Sequence, residues 1–196
     1  MTNSAGLLPH ERVSEAMDRV SRADFLPDEV KSLAGHDGPL PIGENQTNSQ
    51  PYTVAAMLQL LDVRPGQKVL DVGAGSGWTT ALLAHLVGPS GRVLGVERHA
   101  SLIEPARRAL AKHSRGQAEI RLAEPGVLGL PAEGPFDRIL VSAQARRLPA
   151  ALIEQLVEGG IMVIPVSGPM LRVVRHGEEL RVSEHGLFRF VPLVED

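Results

Sequence analysis

The sequence predicts an α/β fold: a doubly wound, mostly parallel sheet, preceded by an N-terminal helical arm and ending in an antiparallel C-terminal hairpin. Three observations carry this. From Lys68 onward, apolar runs of strand length alternate with helical stretches at short spacing, the pattern of successive parallel crossovers. The first run ends in a glycine-rich turn, Gly73-Ala74-Gly75-Ser76-Gly77, that opens directly into a helix. Near the end, Leu171–Arg175 and Leu180–Ser183 flank the polar turn Gly177-Glu178-Glu179, which reads as a hairpin added at the sheet's edge.

Taken in order, residues 10–35 read as helix with breaks. Val13, Ala16, Met17 and Val20 share one face, and Pro27 interrupts the pattern. Residues 36–51 hold three Pro and two Gly with little periodicity. A structureless stretch of that length is uncommon in a compact domain unless it serves function, so it is expected to be a functional loop. A helix follows from about Tyr52 to Leu61, with Val54, Met57, Leu58 and Leu61 on one side, and Pro65-Gly66 closes it. Lys68–Val72 is the first strand, and Thr79–Leu86 a helix. Arg92–Val96 is a strand, Ile103–His113 a helix, and Ala118–Leu122 and Arg138–Ser142 are strands. Ala150–Val157 is expected to be helical, Gly160–Pro165 extended, and Phe188–Leu193 a last strand. Residues 1–66 then form the arm and a capping loop, and residues 67–196 the core, together one compact unit.

A chain of 196 residues suits one domain with a sizeable core. The net charge of −3 and only four Phe, one Tyr and one Trp argue against a nucleic-acid module, which needs cations or stacking surfaces. No cysteine is present, which removes disulfides, thiolate nucleophiles and thiolate metal sites. The seven His form no pair at metal-ligand spacing, so no metal is expected. Neither a secretory leader nor a bilayer-length apolar run is visible, so a cytoplasmic protein without membrane contact is expected.

The chemistry concentrates around the glycine turn. Its spacing is Gly-x-Gly-x-Gly, and Asp71 stands just before it at the strand end. A pyrophosphate wants bare N–H groups there and is repelled by a carboxylate. A ligand carrying an ammonium and a sulfonium but no phosphate, such as S-adenosylmethionine, is attracted. The next strand ends at Glu97, about 20 residues beyond Gly77, where an acidic residue takes ribose hydroxyls in nucleotide-binding sheets. The bland alternative is a tight turn with a solvated carboxylate at the next strand end.

More specific motifs surround that core. Ser21-Arg22-Ala23-Asp24-Phe25-Leu26-Pro27 lies in the arm. Leu40-Pro41-Ile42-Gly43 with Gln46-Thr47, Ser49 and Pro51 lies in the loop. Val69 to Gly77, Pro135 to Val141, Gln155-Leu156 to Pro165, and Phe190-Val191-Pro192-Leu193 follow. On these motifs, from about Val13 to Leu193, the chain resembles the protein-L-isoaspartate O-methyltransferases, enzymes with the Rossmann-like class I methyltransferase fold. The resemblance implies transfer of a methyl group from S-adenosylmethionine to the free carboxyl of an isoaspartyl residue in a damaged peptide or protein. The product is S-adenosylhomocysteine, no metal takes part, and a monomer is expected.

By the same resemblance, Ser49 is expected to hold the acceptor carboxylate, with Gln46, Thr47, Asn48 and Ile42 lining the acceptor side. Ser49 stands next to a helix opening at Pro51, so a capping role is its alternative. The cofactor side is expected to use Asp71, Gly73, Gly75, Ser76, Gly77, Trp78, Glu97, Arg98, Glu124 and Gly126. Asp37 fits a family position or serves as a turn residue. The chain departs from the family pattern at Gly35 (usually Tyr), at Asn48 (usually apolar), at Glu124-Pro125-Gly126 (usually Gly-Asp-Gly) and at Val141-Ser142-Ala143-Gln144. These departures keep two alternatives open: the same transfer to another carboxylate, and a cofactor-binding relative without activity.

Overall fold

The structure, a computed structural model, describes residues 7–195. The arm begins with α1 (Pro9–Arg19), whose proline sits in the first turn, where a missing N–H costs nothing. Glu11 folds back to accept from the Leu8 N–H at 2.8 Å. Val13 and Ala16 are buried, and two short 3-10 turns at 22–25 and 31–33 take the place of further helix around Pro27.

The expected loop at 36–51 is more ordered than its composition suggested. Strands β1 (Leu40–Gly43) and β2 (Gln46–Asn48) form an antiparallel hairpin. Glu44 and Asn45 close it, both left-handed with φ of 54° and 56°, the geometry of a two-residue type I′ turn. That turn usually announces itself as Asn-Gly or Asp-Gly, and Glu-Asn does not. Helix α2 (Pro51–Leu61) follows, burying Val54, Met57, Leu58 and Leu61 as its periodicity predicts.

The core comprises β3 (Lys68–Val72), α3 (Trp78–Val87), β4 (Arg92–Glu97), α4 (Ala100–Leu110), β5 (Ala118–Leu122), β6 (Phe136–Val141), α5 (Ala150–Ile153), β7 (Leu156–Pro165), β8 (Pro169–His176) and β9 (Glu179–Leu187). The seven strands run in the order β5-β4-β3-β6-β7-β8-β9. Pairs from β5 through β7 are parallel, while β7–β8 and β8–β9 are antiparallel, the added hairpin. Alternation along β3 sends Val69 to one face and Leu70 and Val72 to the other. Helices α1 to α4 cover the first face. The second is covered by α5 and by loop residues such as Leu128, Leu130 and Leu148. Among the described residues, no helix is long and apolar enough to cross a membrane.

Several boundaries differ from expectation. Helix α4 starts at Ala100 rather than Ile103, stops at Leu110 rather than His113, and carries Pro105 within it. Helix α5 is a single turn, not a helix to Val157. From Leu156 the chain pairs with β6, and an irregularity containing Gly159 (φ 72°) and Gly160 lets β7 start early. Phe188–Leu193 is not a strand. It crosses the C-terminal end of the sheet, held at its start by the Phe188 N–H donating to Gly168 O at 2.9 Å and at its end by a bridge in which the Gln144 N–H donates to Val191 O and the Leu193 N–H donates to Gln144 O, both at 2.8 Å. These contacts, at Gly168 and Gln144, are isolated, so the alternation of this segment finds no ladder to join among the described residues.

Candidate functional site

Strand order reverses at β3, which has β4 on one side and β6 on the other, and a crevice opens beyond the C-terminal ends of these strands. It holds a cavity of about 450 Å³. The glycine turn, the β1–β2 hairpin, the segment after β5, Ser142 and Ala143, and Val191–Glu195 make its walls.

The turn works only with glycine. Gly73, Gly75 and Gly77 all have left-handed φ, at 81°, 54° and 89°. At Gly77 a Cβ would lie 2.9 Å from Ile120 Cδ1, so this residue packs α3 against the sheet and is not part of the cavity wall. The Gly75 N–H donates to Glu97 Oε2 at 2.8 Å, and the His99 N–H donates to Oε1 at 2.9 Å. Glu97 is thereby fixed in a wall of the cavity, buried, with lone pairs left on both oxygens to accept from ligand hydroxyls.

Asp71 corrects the expectation of a carboxylate facing the ligand. It lies behind the turn, 0% exposed and outside the cavity wall. Its Oδ2 accepts from Thr79 Oγ1 at 2.8 Å and Thr80 Oγ1 at 2.7 Å, and Oδ1 has no partner among the described residues. Burial pushes its carboxyl up to about 6, against the opposing hydrogen bonds from the two threonines. Any influence it has on a ligand is electrostatic, through the turn.

On the opposite wall stand Ile42, Gln46, Thr47, Asn48 and Ser49. Ser49 is not a helix cap. The residue before α2 is Gln50, and the Tyr52 N–H in the first turn donates to Asp37 Oδ1 at 3.0 Å. Gln50 Nε2 donates to Asp37 Oδ2 at 3.0 Å, and these two bonds hold Asp37 below its ordinary carboxylate range. The Ser49 hydroxyl makes no hydrogen bond to the described residues and lines the cavity. Asn48 is different: its side chain is buried and both ends are engaged. Arg22 Nε donates to Asn48 Oδ1 at 2.7 Å, and Asn48 Nδ2 donates to Ser76 Oγ at 3.0 Å.

Arg22 belongs to the arm motif, but its part in building the site is not among the roles expected from the sequence. Its buried guanidinium donates to the carbonyls of His36, Gly38 and Ser49 at 2.8, 2.8 and 3.0 Å, and more weakly to those of Ala34 and Asn48. It also lies 5.5 Å from the ring centroid of Trp78, whose Nε1 donates to Val20 O at 3.1 Å. One cation thus ties the arm, the hairpin and the start of α3 together. The motif Ser21 to Pro27 marks this arginine in the sequence but does not show which groups it holds. Trp78, Arg98, Glu124, Pro125 and Gly126 line the cavity as well, and Glu195 was not anticipated.

The polar groups are unevenly distributed. A rigid carboxylate at Glu97 suits a diol, the small residues Ser76, Thr47 and Ser49 suit compact charged groups, and Ile42, Val54, Val72 and Leu193 supply an apolar wall between them. An elongated nucleoside thioether or sulfonium with an amino-acid end fits that arrangement.

Comparison with known proteins agrees. Residues 2–196 match the family model described as protein-L-isoaspartate(D-aspartate) O-methyltransferase. A protein-L-isoaspartate O-methyltransferase of Aeropyrum pernix is 48% identical over 97% of this chain and 75% of its own length. One from Methanopyrus kandleri is 46% identical over 97% of this chain and 87% of its own. A crystal structure of the Plasmodium falciparum protein of that description, in complex with S-adenosyl-L-homocysteine, superposes with a TM-score of 0.83. It is 24% identical, covers 95% of this chain and 91% of its own, and so attests the fold.

Proposed function

The chain belongs to the protein-L-isoaspartate O-methyltransferase family, and from that premise we propose that it methylates the free carboxyl of isoaspartyl residues in peptides and proteins, using S-adenosylmethionine. The observation that carries the reading is the meeting of hairpin and glycine turn in one cavity, with the Ser49 hydroxyl unengaged on its wall. When bound, the cofactor supplies a methyl carbon activated by a positive sulfur, and departs as a neutral thioether.

The protein's own task is then positioning. An acceptor carboxylate is ionised at neutral pH, since its ordinary pKa is about 4. No strong base is required. Ser49 donates a hydrogen bond to one carboxylate oxygen and directs the other along the line of displacement. Glu97 accepts from the ribose hydroxyls, and the turn's backbone allows close approach. Ile42, Val54 and Leu193 keep water from competing for the methyl group. The resulting ester collapses through a succinimide outside the enzyme, which restores part of the normal linkage. Asp71, buried behind the turn, contributes negative potential where the ligand is positive. The reading includes a monomeric, cytoplasmic enzyme that needs no metal.

The test compares methyl transfer to an isoaspartyl peptide and to its aspartyl twin of the same sequence. Transfer to the isoaspartyl peptide alone is expected. Equal rates would reassign the acceptor to carboxylates in general. Cofactor binding without transfer to either would make the chain a non-catalytic relative.

A further inference from the structure

We propose that Asn48 makes Ser76 a dedicated hydrogen-bond donor to the carboxylate at the amino-acid end of the bound cofactor, the last link of a relay that starts at Arg22. The inference rests on the cofactor named above, and on hydrogen bonds that do not depend on the acceptor.

Arginine carries donors only, so the Asn48 atom 2.7 Å from Arg22 Nε must be its oxygen. The amide is thereby oriented without ambiguity, and its nitrogen faces Ser76 Oγ at 3.0 Å. A hydroxyl that accepts from an amide must direct its own hydrogen elsewhere. Ser76 lies on the cavity wall and donates to no other described residue, so its hydrogen is free for the cavity. Every step runs the same way: guanidinium to amide oxygen, amide nitrogen to hydroxyl oxygen, hydroxyl hydrogen to ligand. Such a chain ends in a polarised donor, which prefers an anion. Burial of both Arg22 and Asn48, each 5% exposed, limits screening by water. An apolar residue at position 48 packs the hairpin but cannot orient Ser76, so this polar residue in an otherwise apolar position has a function to explain it.

Two ligands separate this role from a structural one. S-adenosylhomocysteine carries the carboxylate. 5′-Methylthioadenosine keeps the nucleoside and sulfur and lacks the amino-acid end. Their affinities are measured by calorimetry on the full chain and on two variants, with melting temperatures alongside. In Asn48→Asp the new carboxylate pairs with Arg22, so the melting temperature holds. It also captures the Ser76 hydrogen, and S-adenosylhomocysteine weakens by about tenfold or more while 5′-methylthioadenosine changes by less than about twofold. Asn48→Leu lowers the melting temperature, because Arg22 Nε loses its acceptor, and again weakens only the ligand with the carboxylate. Equal weakening of both ligands, or of neither, in both variants overturns the proposal. Failure of the unaltered chain to bind either ligand overturns the cofactor reading itself, a result visible before any variant is compared.

Discussion

Asp71→Asn tests the electrostatics of the site most directly. The carboxyl rises from 3.8 to about 6 because the side chain is wholly buried. Below about pH 3 the group is protonated in both folded and unfolded chains and leaves stability untouched. As pH rises, the unfolded chain ionises first, and folding must then hold the proton or bury a charge. Stability present at acid pH is therefore lost as pH climbs through about 6. The full shift corresponds to about 3 kcal/mol, of which about 2 kcal/mol develops between about pH 4.5 and about pH 7.5. Asparagine keeps an oxygen for the Thr79 and Thr80 hydroxyls but places an N–H₂ where Oδ1 now has no partner. That costs about 1–3 kcal/mol at every pH. The prediction thus concerns the slope: urea unfolding of both proteins without cofactor should show the variant gaining about 2 kcal/mol on the unaltered chain across that interval. A difference independent of pH refutes the reasoning.

Three further outcomes follow from the same geometry. Ser49→Ala should lower kcat on an isoaspartyl peptide by about 10- to 100-fold while S-adenosylhomocysteine affinity, by calorimetry, changes less than about twofold; a melting temperature equal to that of the unaltered chain confirms that Ser49 is not a cap. Asp37→Ala should lower the melting temperature and speed hydrogen exchange at the Tyr52 amide. In the unaltered chain this stabilisation is present above Asp37's unfolded pKa and disappears as pH falls through its depressed folded value. Unchanged exchange at Tyr52 removes the capping assignment. Arg22→Met should destabilise by at least about 3 kcal/mol in urea unfolding, because several buried carbonyls lose their donor together; a loss below about 0.5 kcal/mol refutes its role as the tether.

The strands were the most legible part of the sequence. Lys68–Val72 falls where its apolar run places it, because a parallel strand buried between layers has few other readings; Ala118–Leu122, at the sheet's edge with Ile120 its one buried residue, is where its alternation places it. The β1–β2 hairpin was not legible: its strands are four and three residues long, and its turn uses Glu-Asn. Helix α5 was overextended because a helical periodicity in Ala150–Val157 says nothing of the β6 edge waiting beside Leu156. Most of the site lies within the motifs that suggested it. What escaped is direction. Position in a motif does not show that Asp71 faces inward to two threonines, or that Asn48 is held by an arginine 26 residues earlier. Those facts depend on how the arm folds over the turn, which is a tertiary outcome.

Arg22 grips the segment from Ala34 to Ser49 almost entirely through main-chain oxygens, at 34, 36, 38, 48 and 49. Anchoring of that kind is indifferent to most side chains along the held segment. Gly35, between the held carbonyls of Ala34 and His36, has open space where a Cβ would go. Substitutions there can accumulate by drift without loosening the backbone that carries Ser49. The surface over the held carbonyls can therefore change its side chains while the backbone beneath stays fixed, so a new outer face there needs no rebuilding of the fold.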